Sequence, residues 1–319
     1  MRTFLIAAAL LGAALPAAAE YPTKPVTLIV PLAAGSTADI LARSVGAVLS
    51  QRFGQTVVVD DRPGAGGAIA MAQVARATPD GYTMAVISQG THVFNVGLYP
   101  KLDYDPLKDF APIALAASVS NVMIVHPGNP ANSVRDVIAA AKLHPGELTF
   151  ASGGNGTSHH LSGVLFQQLT GTQLTHVPYR GAPQGISAVM GDEVTMGFFN
   201  TPTVIAQIRD GKLKALGVTS LQRSPHLPDL PTLDEAGVKG YDVSTWMGFA
   251  APAGTPAAIV ARWHDAIVEL LAEPTMRDKM MTLGFDPVEP LAPDAFARFI
   301  AADLEKWVPI VKASGATVD

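Results

Sequence analysis

The sequence predicts an α/β protein of two lobes, each a mostly parallel doubly wound sheet with helices on both faces. Three observations predict it. Short β-branched runs alternate with segments of helical period. The alternation starts at Val26 and starts again near Val122. The chain has 319 residues, enough beyond an N-terminal leader for two cores of about 100 to 200 residues each.

The leader comes first. Arg2 gives a positive start, Phe4 to Leu15 an apolar run and Ala17 to Ala19 a small-residue cleavage site. That is the pattern of a secretory signal peptide over residues 1–19, cut after Ala19. The run meets Glu20 and Tyr21 too soon for a membrane span, which needs about 20 apolar residues. The mature chain is therefore expected to be exported, soluble and periplasmic. It has no cysteine, so it must be held by its cores alone.

In the first lobe, Val26 to Val30 reads as a strand and Ile40 to Arg52 as a helix. Leu41, Val45, Val48 and Leu49 fall on one face of that helix, and Ser36 with Asp39 reads as its capping box. The strand Thr56 to Asp60, the helix Gly66 to Ala77 and the strand Tyr82 to Ser88 complete a β-α-β-α-β run. Pro112 to Val125 is a long apolar run without glycine, too long for one lobe and suited to crossing between sheets.

The second lobe repeats the plan. Strands are expected at 122–127, 148–152, 174–179, 194–199 and 214–220, with helices at 134–142, 157–169, 183–190 and 203–209. Residues 224–241, rich in proline and glycine, lead to a strand, Ser244 to Pro252, that can cross back. The tail reads as helices at 259–271, 276–283 and 294–313, packed on the first lobe. The division is then residues 20–121 with 247–319 for lobe one and 122–246 for lobe two. Hinge strands fall near 115–125 and 243–250, which lets two rigid lobes close on a ligand.

The formal charge is −5, and 22 lysines and arginines are scattered rather than clustered. Nucleic acid is thereby excluded as an expected partner. The composition, 15 % charged and 48 % hydrophobic, is that of a compact globular protein and not of a disordered one.

Two glycine-rich turns carry the functional argument. PLAAGSTAD, Pro31 to Asp39, and ASGGNGTSHH, Ala151 to His160, each join an apolar strand to a helix start and contain no lysine or arginine. A helix start carries roughly half a positive charge, so a carboxylate or phosphate can sit there without a cation. Ser36 and Thr37 are the candidates from the first turn, and Asn155, Gly156, Thr157 and Ser158 from the second. Ser36 and Thr157 also read as plain N-caps.

Loops at other strand ends, Ser88 to His92, Tyr179 to Gly181 and Phe199 to Thr201, should rim the same cleft. They add Ser88, Thr91 and His92, then Tyr179 and Arg180, then Phe199 and Asn200. Arg180, the one cation among them, reads equally well as a solvated loop charge. The chain lacks a G-x-S-x-G elbow, a Walker loop and a complete G-x-G-x-x-G fingerprint. His159 and His160 are adjacent and make no H-x-x-x-H pair for zinc. Ser158 and His159, as helix neighbours, do not face each other as nucleophile and base. No enzyme activity, metal or cofactor is expected.

Over essentially the whole mature chain these residues resemble the tripartite tricarboxylate transporter substrate-binding proteins, or Bug receptors. The resemblance rests on YPTKPVTLIVP from Tyr21, GSTAD with ILAR from Gly35, VVVDDRPGAGG from Val57, PDGYT from Pro79 and LYPKLDYDPLKDFAPI from Leu98. It continues in GGNGTSHHL from Gly153, HVPYRG from His176, RSPHLPDLPTLDEAG from Arg223 and FAAPAGTP from Phe249.

The resemblance implies a type II periplasmic binding protein that closes like a flytrap on a small carboxylate. It would deliver that solute, as a monomer, to a permease of one large and one small membrane subunit. It also implies that main-chain N–H groups, hydroxyls and water hold the carboxylate. By position, Ser36, Thr37, Asn155, Thr157 and Ser158 match the carboxylate loops.

Two departures bear on the ligand. Where the family often reads PFPPGG, this chain has PLAAGS, which places Ser36 where a glycine stands. Where it often reads F-D-N, this chain has Phe198, Phe199 and Asn200. If Phe199 faces the cleft, the ligand should carry an apolar or aromatic body; if it turns into the core, that preference loses its basis. A ligand sensor feeding a two-component kinase would keep the same clamp, and a secreted hydrolase would need a base this chain does not offer.

Overall fold

The computed structural model describes residues 21–313 and Ala316. The expected signal peptide, residues 1–19, lies outside the described residues.

β1 (Val26–Val30) lies between β2 (Val57–Asp61) and β3 (Thr83–Ser88), parallel to both. Its side chains are buried on both faces, as a run of valine, leucine and isoleucine requires when helices cover each side. α1 (Thr37–Phe53) covers one face through Leu41, Val45 and Leu49, each fully buried. Such a burial stabilises by about 1.5–3 kcal/mol per side chain. Gly54 ends the helix in the left-handed conformation at φ 63°. α2 (Ala68–Ala75) covers the other face with Ala70, Met71 and Val74.

After β3 the chain does not enter a loop, as the reading of Ser88 to His92 had it. A π-helical turn over Gly90–Phe94 runs straight into α3 (Asn95–Leu98). Val93, Phe94 and Leu98 are buried there against the C-terminal helix. The turn is held by this tertiary packing, and it is too short to show a helical period in sequence.

β4 (Phe110–Val125) is a single strand of 16 residues. It pairs antiparallel with β9 (Ser244–Pro252) along Phe110–Ser120, then with β7 (Met196–Asn200) and β8 (Lys214–Val218) beyond Asn121. The remaining elements of this half are α4 (Val134–Leu143), β5 (Thr149–Ser152), α5 (Ser158–Thr170), β6 (Thr175–Pro178), α6 (Ala182–Met190) and α7 (Thr201–Arg209). The strand order is β2-β1-β3-β9-β4-β7-β5-β6, with β8 on β4.

The sheet is mixed. Between the named strands, parallel pairing is confined to β1–β3 and to β5, β6 and β7, while every pair made by β4 or β9 is antiparallel. The cause is simple: one strand carries the chain out of the first half and the other brings it back.

Four buried clusters line the two faces of the two halves. α8 (Ala257–Ala272) and α9 (Pro274–Leu283) close one face of the first half, where Trp263 is fully buried and donates to the Tyr21 hydroxyl at 2.8 Å. α10 (Pro293–Ala313) closes the other, and its Trp307 also packs on the core of the second half.

Candidate functional site

The first glycine turn leaves β1 and winds into α1 through local hydrogen bonds. Ser36 is the N-cap, its Oγ accepting the Asp39 N–H at 3.3 Å. The Asp39 carboxylate reaches back one residue further than a capping box would, to the Gly35 N–H at 2.8 Å, and also holds Arg43 Nε at 2.6 Å. These bonds consume the Gly35 and Asp39 amides. The N–H groups of Thr37 and Ala38 have no acceptor within their own helix, because the first turn offers none.

The second turn is built the same way. Thr157 caps α5: Oγ1 accepts the His160 N–H at 3.4 Å and donates to the Gly154 carbonyl at 2.7 Å. The amides of Ser158 and His159 are left without an intrahelical acceptor.

The two helix starts open on one cavity of about 430 Å³, its mouth included. Leu32 and Ala38 line it from the first turn, and Gly156, Thr157, Ser158 and His159 from the second. Ser88, Gly90 and Thr91 line it from the end of β3, Asn200 from the end of β7, and Thr245 and Met247 from β9. Gly66 closes the seam. Its φ is 59°, and a Cβ there would stand 2.6 Å from the Asn155 carbonyl oxygen of the opposite lobe.

The lobes are closed on each other. Thr37 Oγ1 donates to Asn200 Oδ1 at 3.1 Å, and His159 Nε2 lies 3.1 Å from the same oxygen. Asn200 Nδ2 donates to Asn121 Oδ1 on β4 at 2.5 Å. None of the described lining residues is a lysine or an arginine. His159 is uncharged at neutral pH, since burial, only partly opposed by its bond to Asn200, pulls it down to about 4. The positive potential in the cavity therefore comes from the helix starts.

Several expected residues stand elsewhere. Asn155, Tyr179 and Arg180 border an outer vestibule of about 1110 Å³ with Leu32, Pro63 and Tyr99, and Arg180 is exposed. The Ser36 oxygen accepts at its cap, and the Thr37 hydroxyl donates to Asn200.

His92 requires a correction. It is fully buried, its ring packs on Phe110 at 4.7 Å, and burial pulls it down to about 3. The π-helical turn that replaces the expected loop directs it inward, away from the cavity. Phe199 requires another. It is fully buried beneath α6, over Gly185 and Gly197, with its ring 4.9 Å from that of His159. Strand side chains alternate, so with Asn200 facing the cavity Phe199 must face the other way.

Thr245 and Met247, absent from the expected site, form its floor. Their position on the return strand Ser244 to Pro252 was the available signal. A larger cavity, about 1220 Å³, lies between α8, α9 and residues 285–290. Neither glycine turn lines it.

A family model described as tripartite tricarboxylate transporter family receptor matches residues 41–316. Protein BugT of Bordetella pertussis is 34 % identical over 307 residues, 96 % of this chain and 94 % of that protein. A protein of R. palustris solved with adipate superposes with a TM-score of 0.91 at 35 % identity, covering 94 % of this chain and 100 % of the other. MatC of Rhodopseudomonas palustris, solved with bound malate, gives 0.86 at 32 % identity over 91 % and 100 %.

Proposed function

The chain belongs to the tripartite tricarboxylate transporter receptor family, and from that we propose that it is a periplasmic receptor for a small organic carboxylate. The observation that carries this reading is the meeting of two cation-free helix starts on one cavity spanned by Thr37 and Asn200. A carboxylate between Thr37, Ala38, Ser158 and His159 receives amide donors and two helix dipoles, strong enough to capture it and weak enough to let it go.

The relatives solved with adipate and with malate support the ligand class. Leu32 and Met247 favour a short aliphatic body. An aromatic body loses its main support with Phe199 in the core. Delivery to a two-subunit membrane permease, export behind residues 1–19 and a monomeric state are proposed from the family and the leader pattern. The lobe boundaries are proposed at 121/122 and 246/247, with hinging around 115–125 and 243–250, supported by the run of β4 from its pairing with β9 to its pairing with β7 and β8.

The test is a thermal-shift and calorimetric screen of adipate, malate, citrate, glutamate and phthalate. A ligand at 100 times its Kd adds about 2.7 kcal/mol to the folded state. Stabilisation by aliphatic dicarboxylates above the others supports the reading. No response to any carboxylate overturns it.

A further inference from the structure

The glycines of the second turn carry the amides that sequence alone offers to an anion. The structure gives two of those amides to histidines and the third to a serine that a third histidine contacts. Gly153 N–H donates to His159 Nδ1 at 3.2 Å, and Gly156 N–H to His160 Nδ1 at 3.4 Å. Gly154 N–H donates to Ser152 Oγ at 3.1 Å, and that oxygen lies 2.7 Å from His176 Nε2.

The rings themselves are fixed. His160 and His176 stack with centroids 4.2 Å apart and planes 9° from parallel, and Phe150 stacks on His176 at 4.7 Å. His159 packs on Phe199 and reaches Asn200 Oδ1 with Nε2. A nitrogen that accepts an N–H must be bare, so His159 and His160 are held as neutral imidazoles with the proton on Nε2. His159 then donates to Asn200, the residue that Thr37 contacts across the cleft.

We propose that His159, His160 and His176 are positioning residues that hold the second glycine turn open toward the cavity, leaving the first-turn amides of Ser158 and His159 aimed at a ligand carboxylate. His159 has a second task. Its Nε2–H orients the Asn200 amide, so the same ring sets the turn and the cross-lobe contact. The proposal rests on the carboxylate reading above and adds which side chains shape that site.

Paired variants separate the tasks. Asn places an acceptor where Nδ1 stands; Gln places a donor where Nε2 stands. H160L removes the acceptor for Gly156, and adipate affinity by calorimetry is expected to fall roughly tenfold or more. H160N is expected to recover most of that loss, with the melting temperatures of the two variants alike. H159N keeps the turn bond and H159Q keeps the Asn200 bond; each is expected to weaken binding less than H159L.

Nitrogen NMR of the intact, ligand-free protein reads the tautomers directly. Bare Nδ1 and protonated Nε2 are expected for His159 and His160 at pH 7. A proton on Nδ1 of either ring overturns the proposal, as does wild-type affinity in H160L. If H160L does not fold, the H160N affinity and the tautomers decide the matter by the same criteria. A wild-type protein that binds no carboxylate defeats the carboxylate reading, whereas wrong tautomers in a protein that does bind defeat only the histidine assignment.

Discussion

Thr37 and Asn200 stand 163 positions apart in the chain and share a hydrogen bond of 3.1 Å across the closed cleft. The accepting oxygen also meets His159, and the amide nitrogen of Asn200 donates to Asn121 in the crossing strand β4. One side chain thus touches the opposite lobe, the second glycine turn and the strand that joins the halves.

T37V deletes the donor and little else. Adipate binding is expected to weaken about five- to tenfold, in line with a lost hydrogen bond of about 1 kcal/mol, while the melting temperature holds. Small-angle scattering of the ligand-bound variant should show a larger open fraction. Unchanged affinity and unchanged scattering would remove this contact from closure.

N200A is a harsher change. It strands buried partners on Asn121 and His159 and the Thr37 hydroxyl, and an unpaired buried polar group costs about 1–3 kcal/mol. Denaturant unfolding should show the loss in the absence of ligand. An unaltered midpoint would mean that water replaces the amide at no cost.

Phe199 is expected to govern stability and leave ligand ranking alone. F199A should lose about 3–5 kcal/mol, the range for emptying a buried aromatic site. G197A should also destabilise, because a Cβ there would stand 2.4 Å from the ring. The order of preference among carboxylates should survive both changes. M247A, in contrast, enlarges the cavity floor and should shift preference toward longer or bulkier acids; calorimetry on adipate and a longer homologue checks it.

Stability should fall as pH is lowered from about 6.5 toward 4. Burial pulls His92 down to about 3, His159 and His160 to about 4, and His176 to about 3. Between those values and the unfolded value near 6.5, the unfolded chain binds more protons, so protonation favours unfolding. The stabilisation is whole above about 6.5 and is lost through that window. Melting temperature against pH measures it, and H92N should flatten the slope.

Much of the fold was legible because burial leaves periodic marks. The apolar spacing of Leu41, Val45 and Leu49 fixed a helix face, and the glycine-free run ending at Val125 announced a strand longer than one lobe. The sense of the strands around β4 was not legible, since apolar runs carry no direction. The helical turn at Gly90–Phe94 escaped for a different reason: its partners lie on α10. In the site, the helix starts could be found from glycine and hydroxyl residues, but which N–H groups remain for a ligand depends on where His159, His160 and Asp39 reach. The facing of Phe199 follows from alternation only once Asn200 is known to face the cavity. Thr245 and Met247 belong to the floor through pairing with strands far away in sequence.

The continuous strand β4 also sets an order of assembly. Its long partner, β9, is made only after the whole of the second half, so the first half waits with the edges of β3 and β4 unpaired. Closing that distance costs chain entropy before any contact rewards it, which makes it a late step in folding. Until β9 arrives those two open edges are where another unfolded copy could dock. The interval between finishing the second half and inserting β9 is accordingly the period in which the unfinished sheet is most exposed to pairing with another copy.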